Sequence, residues 1–235
     1  GPVMDEVEEK VKSDPTIKGI WCVPRFSNPT GIVYSDEVVD RIARLGKIAG
    51  ANFRVMWDNA YAVHALSPDA PQLANLMELA REHGTEDSVV IFGSTSKVTF
   101  AGSGLAFMGT SAANLDFFKR HLGMCTIGPD KVNQLRHVKF FGDFDGLLSH
   151  MEKHAELLKP RFDAVLQHLQ EGFADSDLGT WTVPHGGYFV SFDARPGLAK
   201  DIIRLASEVG VKLTPAGATF PYGNDPDDKN IRLAP

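Results

Sequence analysis

Three short apolar runs of the sequence are each followed directly by polar side chains of reactive types. Asn28 follows the first run, Asp58 and Tyr61 follow the second, and the segment Gly93-Ser-Thr-Ser-Lys97 follows the third. A lysine amine can form an imine with an aldehyde, and an aspartate can hold a pyridine nitrogen in its protonated form. Asparagine and tyrosine can form hydrogen bonds with a phenolic oxygen, and serine hydroxyls can bind a phosphate.

Each of these residues has an ordinary structural role when it is taken alone. Asparagine before proline is usually a turn residue, aspartate after a strand often caps a helix, and lysine after a strand is usually a solvated charge. Taken together, in this order and at strand ends, Asn28, Asp58, Tyr61 and Lys97 match the ligand set of an enzyme that uses pyridoxal 5'-phosphate. The hydroxyls of Ser94 and Ser96 would then bind the phosphate of that cofactor.

The apolar runs predict the strands that must position these side chains. Gly19 to Val23, Phe53 to Trp57 and Val89 to Phe92 have strand length and no strict alternation, which is typical of strands buried on both faces. Between them apolar residues recur at helical spacing, with Ser35 as a predicted N-cap and Gly84 as a predicted stop. The alternation predicts an α/β fold with a three-layer, mostly parallel sheet, in which ligands bind beyond the carboxyl ends of the strands.

The pattern changes in the second half of the chain. Residues 145–172 form one long amphipathic stretch, which predicts a helix bent at Pro160. The residues that follow predict a smaller α+β unit. They comprise strand-like segments, a helix from Leu198 to Val209 and a further strand-like segment, Val211-Lys-Leu213. We therefore predict two domains: residues 1–148 as part of a cofactor-binding large domain, and residues 149–235 as the connecting helix with part of a small C-terminal domain.

Composition and charge narrow the class of protein. The chain of 235 residues is 43% hydrophobic, and 30 acidic against 24 basic side chains give a net charge of −6. Because an acidic chain suits a phosphate backbone poorly, we expect a small-molecule or protein partner and no nucleic acid. The sequence shows no membrane span, no signal peptide and no Cys-x-x-Cys spacing, so we expect no membrane partner and a cytoplasmic location.

Two other known motifs are incomplete in this sequence. His150 and His154 are separated by one helical turn, but a zinc-protease helix needs glutamate directly after the first histidine, where Met151 stands. We therefore expect these histidines on a solvated face, and no metal site. A nucleotide-binding loop needs serine or threonine after its lysine, whereas Val98 follows Lys97.

The sequence around the candidate residues resembles that of a known family, the fold type I aminotransferases of class I/II. The segments Ser27-Asn-Pro-Thr-Gly31, Trp57-Asp-Asn-Ala-Tyr-Ala-Val-His64 and Gly93-Ser-Thr-Ser-Lys-Val-Thr-Phe-Ala-Gly102 are similar in particular to a bacterial aspartate aminotransferase subgroup. Pro184-His-Gly-Gly-Tyr-Phe189 and Leu213-Thr-Pro-Ala-Gly217 resemble segments of the family's small domain. The resemblance thus covers nearly the whole chain.

The resemblance implies how pyridoxal phosphate would be bound. Lys97 would be the imine-forming lysine and proton shuttle, and Asp58 would pair with the pyridine nitrogen. Asn28 and Tyr61 would bind the phenolic oxygen, and Ser94, with Ser96 beside it, would bind the phosphate.

Substrate binding is implied at Arg232, with Asn28 beside it. The planar guanidinium of Arg232 matches a carboxylate in two parallel hydrogen bonds and would bind the substrate α-carboxylate. The family also usually carries an arginine shortly after the lysine, and the segment Phe100-Ala-Gly-Ser-Gly-Leu105 lacks it. Phosphate binding must then rest on backbone N–H groups, on the serines including Ser103, or on a residue outside this chain.

These implications together predict an aminotransferase that acts on L-aspartate and 2-oxoglutarate and is a homodimer with a shared active site. The family's glycine-rich phosphate loop and closing C-terminal helix have no counterpart here, so we expect a middle-to-C-terminal segment of a longer protein. Two alternatives stay open: another pyridoxal phosphate reaction on this fold, such as β-elimination or decarboxylation, and a non-enzymatic regulatory domain that binds the cofactor. The regulator would require a DNA-binding region upstream, and the acidic sequence shows none.

Overall fold

The computed structural model describes residues 1–235, which divide into two compact units. The longest of the three segments of unit 2 begins at Met151, close to the predicted boundary between residues 148 and 149. Two short segments from the first half of the chain also belong to unit 2. Unit 1 comprises Gly1–Arg25, Val33–Val63 and Pro71–His150, and unit 2 comprises Phe26–Ile32, His64–Ala70 and Met151–Pro235.

Helices and strands alternate through the first half of the chain, as the apolar pattern predicts. The helices are α1 (Met4–Ser13), α2 (Asp36–Arg44), α3 (Leu76–His83), α4 (Ala112–Cys125), α5 (Lys131–Phe141), α6 (Phe144–Phe173) and α7 (Ala199–Glu208). The strands are β1 (Gly19–Cys22), β2 (Arg54–Asp58), β3 (Val89–Ser94), β4 (Ala106–Thr110), β5 (Gly179–Trp181), β6 (Val190–Ala194) and β7 (Asn230–Leu233). No helix is both long enough and apolar enough to cross a membrane.

The sheet of unit 1 has the strand order β1-β2-β3-β4. The first three strands are parallel, and β4 runs antiparallel to β3. The α/β class is therefore confirmed, and the sheet is mixed. Because parallel strands end at the same edge, this arrangement brings the residues after β2 and β3 to one rim.

The helix boundaries of unit 1 follow from capping residues. Ser35 precedes α2, and its Oγ accepts a hydrogen bond from the Val38 N–H at 3.4 Å. Gly84 ends α3 with φ +65°, a left-handed conformation in which glycine avoids the steric cost of a side chain. Both boundary signals were predicted from the sequence.

The core of unit 1 lies between one face of the sheet and the helices α1, α2 and α3. Val55 and Trp57 of β2 are almost fully buried against Val39 and Ile42 of α2. The opposite face is different, because Trp21 is 64% exposed there and stacks on the Phe92 ring, with a centroid distance of 5.9 Å. Helices α1, α2 and α3 thus cover one face of this sheet, and the third layer stays a prediction.

Unit 2 contains an antiparallel sheet with the order β5-β6-β7, together with α7 and the greater part of α6. Its core includes Phe192 and Ile231, and Pro160 lies within the continuous helix α6. The predicted strand Val211-Lys-Leu213 is not formed. Instead the Val211 N–H caps the end of α7 by donating to Ala206 O at 2.8 Å, directly after the positive-φ residue Gly210.

Candidate active site

The candidate lysine lies in a tight turn at the carboxyl end of β3. The N–H groups of Val98 and Thr99 both donate to Thr95 O, at 2.9 and 2.8 Å, and the Thr95 N–H donates to Leu105 O at 2.9 Å. Val98 is buried, whereas the side chain of Lys97 is exposed. The backbone around the lysine is therefore held by hydrogen bonds, while its side chain is exposed to solvent.

Asp58 and Tyr61 reach the same rim from the neighbouring strand. Asp58 ends β2 opposite Phe92 of β3, and the Asn59 N–H donates to Phe92 O at 2.9 Å. Tyr61 is buried, and the Nζ atom of Lys97 lies 5.1 Å from the centroid of its ring. The structure thus brings together the aspartate, tyrosine and lysine that the sequence analysis selected.

Arg25 fixes the turn that carries Tyr61. Its Nη1 donates to Ala62 O at 2.6 Å, and its Nη2 donates to Pro71 O at 3.4 Å. The side chain is half-buried, and burial lowers the pKa of Arg25. Sequence reasoning gave Arg25 no chemical role, and its contacts are those of a structural support.

Ser94 and Ser96 place two hydroxyls next to each other at the end of β3. The two Oγ atoms lie 2.9 Å apart, and the Ser96 N–H donates to Ser94 Oγ at 3.0 Å. The backbone of Gly104 passes so close that a Cβ at this position would lie 2.6 Å from Ser96 N. The rim therefore offers clustered hydroxyl donors against a close backbone, an arrangement that suits a phosphate.

Arg232 lies on β7 in unit 2, and its guanidinium is held on several sides. Nη1 donates to Asn28 Oδ1 at 2.9 Å and Nη2 donates to Thr214 Oγ1 at 3.0 Å. The guanidinium carbon lies 4.5 Å from the centroid of the Phe189 ring. Nε is buried without a hydrogen-bond acceptor, and Arg232 has no carboxylate partner in the chain. A buried donor without an acceptor is costly, so this guanidinium suits an anionic ligand.

The segment that carries Asn28 belongs to unit 2 and is closed on itself. The Gly31 N–H donates to Ser27 O at 2.6 Å, and the Ser27 N–H donates to Ile32 O at 3.1 Å. Phe26 is fully buried beneath Gly186, where a Cβ would lie 2.5 Å from the Phe26 ring. The paired glycines of the Pro184–Phe189 segment are thus explained by close packing, and this packing supports the Asn28 turn.

Sequence reasoning missed two residues that orient Arg232. Thr214 and Phe189 both lie in segments that carried the family resemblance, yet neither was given a role. Their membership in those segments was the available signal.

The expectation of a solvated face for His150 was wrong, because its Nε2 lies 3.0 Å from Val98 O, next to the lysine.

The residues of unit 1 fit pyridoxal phosphate by their chemistry. An exposed amine, a carboxylate at a strand end and a buried tyrosine meet at one rim, with paired hydroxyls on the same strand end as the lysine. These groups correspond in type to the aldehyde, pyridine, phenol and phosphate parts of the cofactor. The arginine that the family usually carries after the lysine is absent from the segment Phe100 to Leu105.

Comparison with known proteins extends this assignment from the site to the whole chain. A protein of Mycolicibacterium smegmatis is 50% identical over all 235 residues, which make up 55% of that protein. The aspartate aminotransferase of Corynebacterium glutamicum is 46% identical over the same residues, which make up 54% of its length. The chain therefore spans about half the length of these relatives.

Solved structures show the same fold. An aspartate transaminase from Corynebacterium glutamicum superimposes with a TM-score of 0.96 at 46% identity, covering 100% of this chain and 55% of that one. The α-aminoadipate aminotransferase of Thermus thermophilus, in complex with N-(5'-phosphopyridoxyl)-L-leucine, gives a TM-score of 0.81 at 26% identity and covers 100% of this chain and 57% of that one. The fold is thus that of an aminotransferase.

The family follows from a match along the entire chain. The family model described as "Aspartate amino-transferase" matches residues 1–235. The chain belongs to the aspartate aminotransferase family, a group of pyridoxal phosphate-dependent aminotransferases, as the sequence resemblance implied.

Proposed function

We propose that the chain carries the lysine and arginine of a pyridoxal phosphate-dependent aminotransferase that moves an amino group between L-aspartate and 2-oxoglutarate. The observation that carries the proposal is the exposed amine of Lys97 at the sheet rim, 5.1 Å from the Tyr61 ring centroid, with Asp58 ending the adjacent strand. The name of the Corynebacterium aspartate aminotransferase supports L-aspartate as one substrate, and the phosphopyridoxyl complex of the Thermus enzyme supports the cofactor.

Each part of the cofactor has a proposed ligand in unit 1. Lys97 would bind the aldehyde carbon, Asp58 the pyridine nitrogen and Tyr61 the phenolic oxygen, while Ser94 and Ser96 would bind the phosphate. When bound, pyridoxal phosphate supplies an aldehyde that condenses with amines and a protonated ring that withdraws electrons. A carboxylate is suited to the pyridine nitrogen because it stabilises the proton there.

Lys97 would also move the proton that the reaction transfers. In its neutral form Nζ can accept the proton from the substrate α-carbon and later return one. The amine must reach more than one position for these tasks, and its exposed side chain allows that movement. The hydrogen-bonded turn around Thr95 and Val98 keeps the Cα atom in place during the movement.

Arg232 would bind the substrate α-carboxylate. Asn28 and Thr214 hold the two terminal nitrogens of the guanidinium, and the Phe189 ring packs against its plane. The guanidinium of Arg232 is therefore oriented before the substrate arrives, and this lowers the entropic cost of substrate binding. Each terminal nitrogen carries a second N–H, and these two N–H groups would donate to the carboxylate oxygens.

The experiment uses the intact protein with added pyridoxal phosphate and a panel of amino acids. We expect imine absorbance in the wild type, and transfer of the amino group from L-aspartate that depends on 2-oxoglutarate. Lys97→Ala should remove both signals, because alanine has no amine to condense with the aldehyde. Lys119→Ala, which alters an exposed lysine of α4, is the matched control and should keep both.

Three outcomes would contradict the proposal. Normal turnover in Lys97→Ala would remove the lysine from the mechanism. Release of ammonia or carbon dioxide without transfer to an oxo acid would indicate elimination or decarboxylation instead. Cofactor binding without any turnover of the panel would favour a regulatory domain.

The family resemblance also leads us to propose a homodimer with a shared active site for the intact protein.

A further inference from the structure

A buried histidine of α5 contacts the backbone turn that carries the candidate lysine. His137 is 8% exposed, and its Nε2 lies 3.0 Å from Thr95 Oγ1 and 3.1 Å from Thr99 Oγ1. On the other side of the ring, Nδ1 lies 2.9 Å from Asn133 O, one helical turn earlier in α5. No role for this histidine was predicted from the sequence.

The hydrogen-bond partners determine which ring nitrogen of His137 carries the proton. The Asn133 carbonyl can only accept, so Nδ1 must donate to it. Thr95 Oγ1 accepts from the Leu105 N–H at 2.7 Å, and the Thr99 hydroxyl can donate to Thr95 O at 3.2 Å. The Thr95 hydroxyl proton is then directed to Nε2, so the network is satisfied by a neutral ring with the proton on Nδ1.

The contact with Thr95 matters because Thr95 organises the whole lysine turn. Its carbonyl accepts the N–H groups of Val98 and Thr99, and its hydroxyl accepts the Leu105 N–H just before β4. A second histidine, His150 of α6, donates from Nε2 to Val98 O at 3.0 Å. Lys97 thus lies between two residues that are each bound by a histidine.

We propose that His137 is a positioning residue for Lys97, acting through the Thr95 hydroxyl. This inference rests on the proposed function, since it concerns the residue that would bind the cofactor and move the proton. His137 is not assigned a catalytic role, because Thr95 separates its ring from the lysine. Its task is to supply a buried acceptor, so that the Thr95 hydroxyl keeps one orientation and the turn keeps one conformation.

The first test is spectroscopic and uses the protein without cofactor. The ring nitrogen chemical shifts of His137 in an NMR spectrum should show a neutral ring protonated on Nδ1, and the Leu105 amide should be protected from hydrogen exchange. In His137→Leu we expect protection of the Leu105 amide to fall about tenfold or more, since the Thr95 hydroxyl loses its acceptor. A ring protonated on Nε2 alone would overturn the proposal.

The second test is kinetic and uses the cofactor-loaded intact protein. We expect kcat of His137→Leu to fall about tenfold to a hundredfold with KM for the amino acid little changed, because the substrate contacts remain while the amine is misplaced. His137→Gln keeps an acceptor at the Nε2 position and should restore kcat to within about threefold of the wild type. If the leucine variant does not fold, the ring nitrogen shifts of His137 in the wild type still test the proposal.

The matched control is His121→Leu. His121 of α4 makes the same contact one turn back, from Nδ1 to Phe117 O at 2.9 Å, but it is exposed and does not contact the lysine turn. This variant should behave as the wild type. Equal kcat values for wild type, His137→Leu and His121→Leu would overturn the inference while leaving the proposed function intact. An inactive wild type without imine absorbance would instead reject the proposed function.

Discussion

Lys97 and Arg232 are the two cations for which we propose a function, and they belong to different compact units of the chain. In unit 1 hydrogen bonds hold the backbone around Lys97, and its exposed side chain lies beside the Tyr61 ring. In unit 2 the side chain itself is held, because Asn28, Thr214 and the Phe189 ring all contact the guanidinium of Arg232.

The difference matches two different chemical tasks. An amine that forms a bond, releases it and then moves a proton needs rotational freedom about a fixed Cα atom. A guanidinium that binds one carboxylate gains from a fixed orientation, because less conformational entropy is lost when the ligand binds. Exchanging the two kinds of cation between the two positions tests this comparison directly.

The largest effect is expected from Lys97→Arg, which keeps the positive charge. A guanidinium stays protonated in proteins, so it can neither form the imine nor accept the α-proton. We expect transamination to fall by about a thousandfold or more, with loss of the imine absorbance. Lys119→Arg on α4 is the control, and persistence of the absorbance in Lys97→Arg would contradict the assigned role.

A smaller effect is expected from the reverse exchange, Arg232→Lys. An ammonium can attract a carboxylate but cannot form the bidentate pair, and it loses the contacts with Asn28 and Thr214. We expect kcat/KM for the amino acid to fall by about tenfold to a hundredfold, mainly through KM, while imine absorbance is kept. Arg204→Lys on the exposed surface of α7 provides the control. An unchanged KM would show that Arg232 does not bind substrate.

The smallest effect concerns the loop before β7. The Asp225 carboxylate accepts the N–H groups of Asp227, Lys229 and Asn230 at 3.1, 2.8 and 2.8 Å. Burial acts to raise the pKa of Asp225, but the three backbone hydrogen bonds outweigh it and lower the pKa below its usual value. We expect Asp225→Asn to reduce the free energy of unfolding by about 1 to 2 kcal/mol at neutral pH.

The pH dependence of this stabilisation has a defined sign. Because the pKa of Asp225 is lower in the folded state, its contribution is complete above the pKa of the unfolded chain and is lost as the pH falls through the folded value. The difference between wild type and Asp225→Asn should therefore shrink in acid, as measured by urea unfolding. A difference that stays constant down to strongly acidic pH would mean that the charge is not responsible.

The positions of site residues that depend on local sequence patterns could be predicted from the sequence. Parallel strands leave apolar runs with polar residues at their carboxyl ends, and this is why Asp58, Tyr61 and Lys97 could be placed at one rim. Their roles stay predictions until the variants are measured. The start of α2 and the end of α3 are also determined by nearby residues, since Ser35 and Gly84 act on adjacent backbone groups.

Contacts between distant parts of the chain could not be predicted in this way. Thr214 and Phe189 surround Arg232 only because the antiparallel sheet and its loops bring separate segments together. The same holds for His137, whose partner Thr95 lies on a different element. The segment Val211-Lys-Leu213 has the residue types of a strand, but its first N–H is used by the end of α7.

The exposed Trp21 on one face of the unit 1 sheet allows tryptophan fluorescence to report whether that face is covered. Of the three tryptophans, Trp21 is 64% exposed on that face, whereas Trp57 is 2% exposed on the opposite, buried face. Acrylamide should quench the fluorescence of Trp21 far more efficiently than that of Trp57. Any polypeptide or ligand that covers the face would protect Trp21 from the quencher, so occupancy there can be followed in solution without an added label.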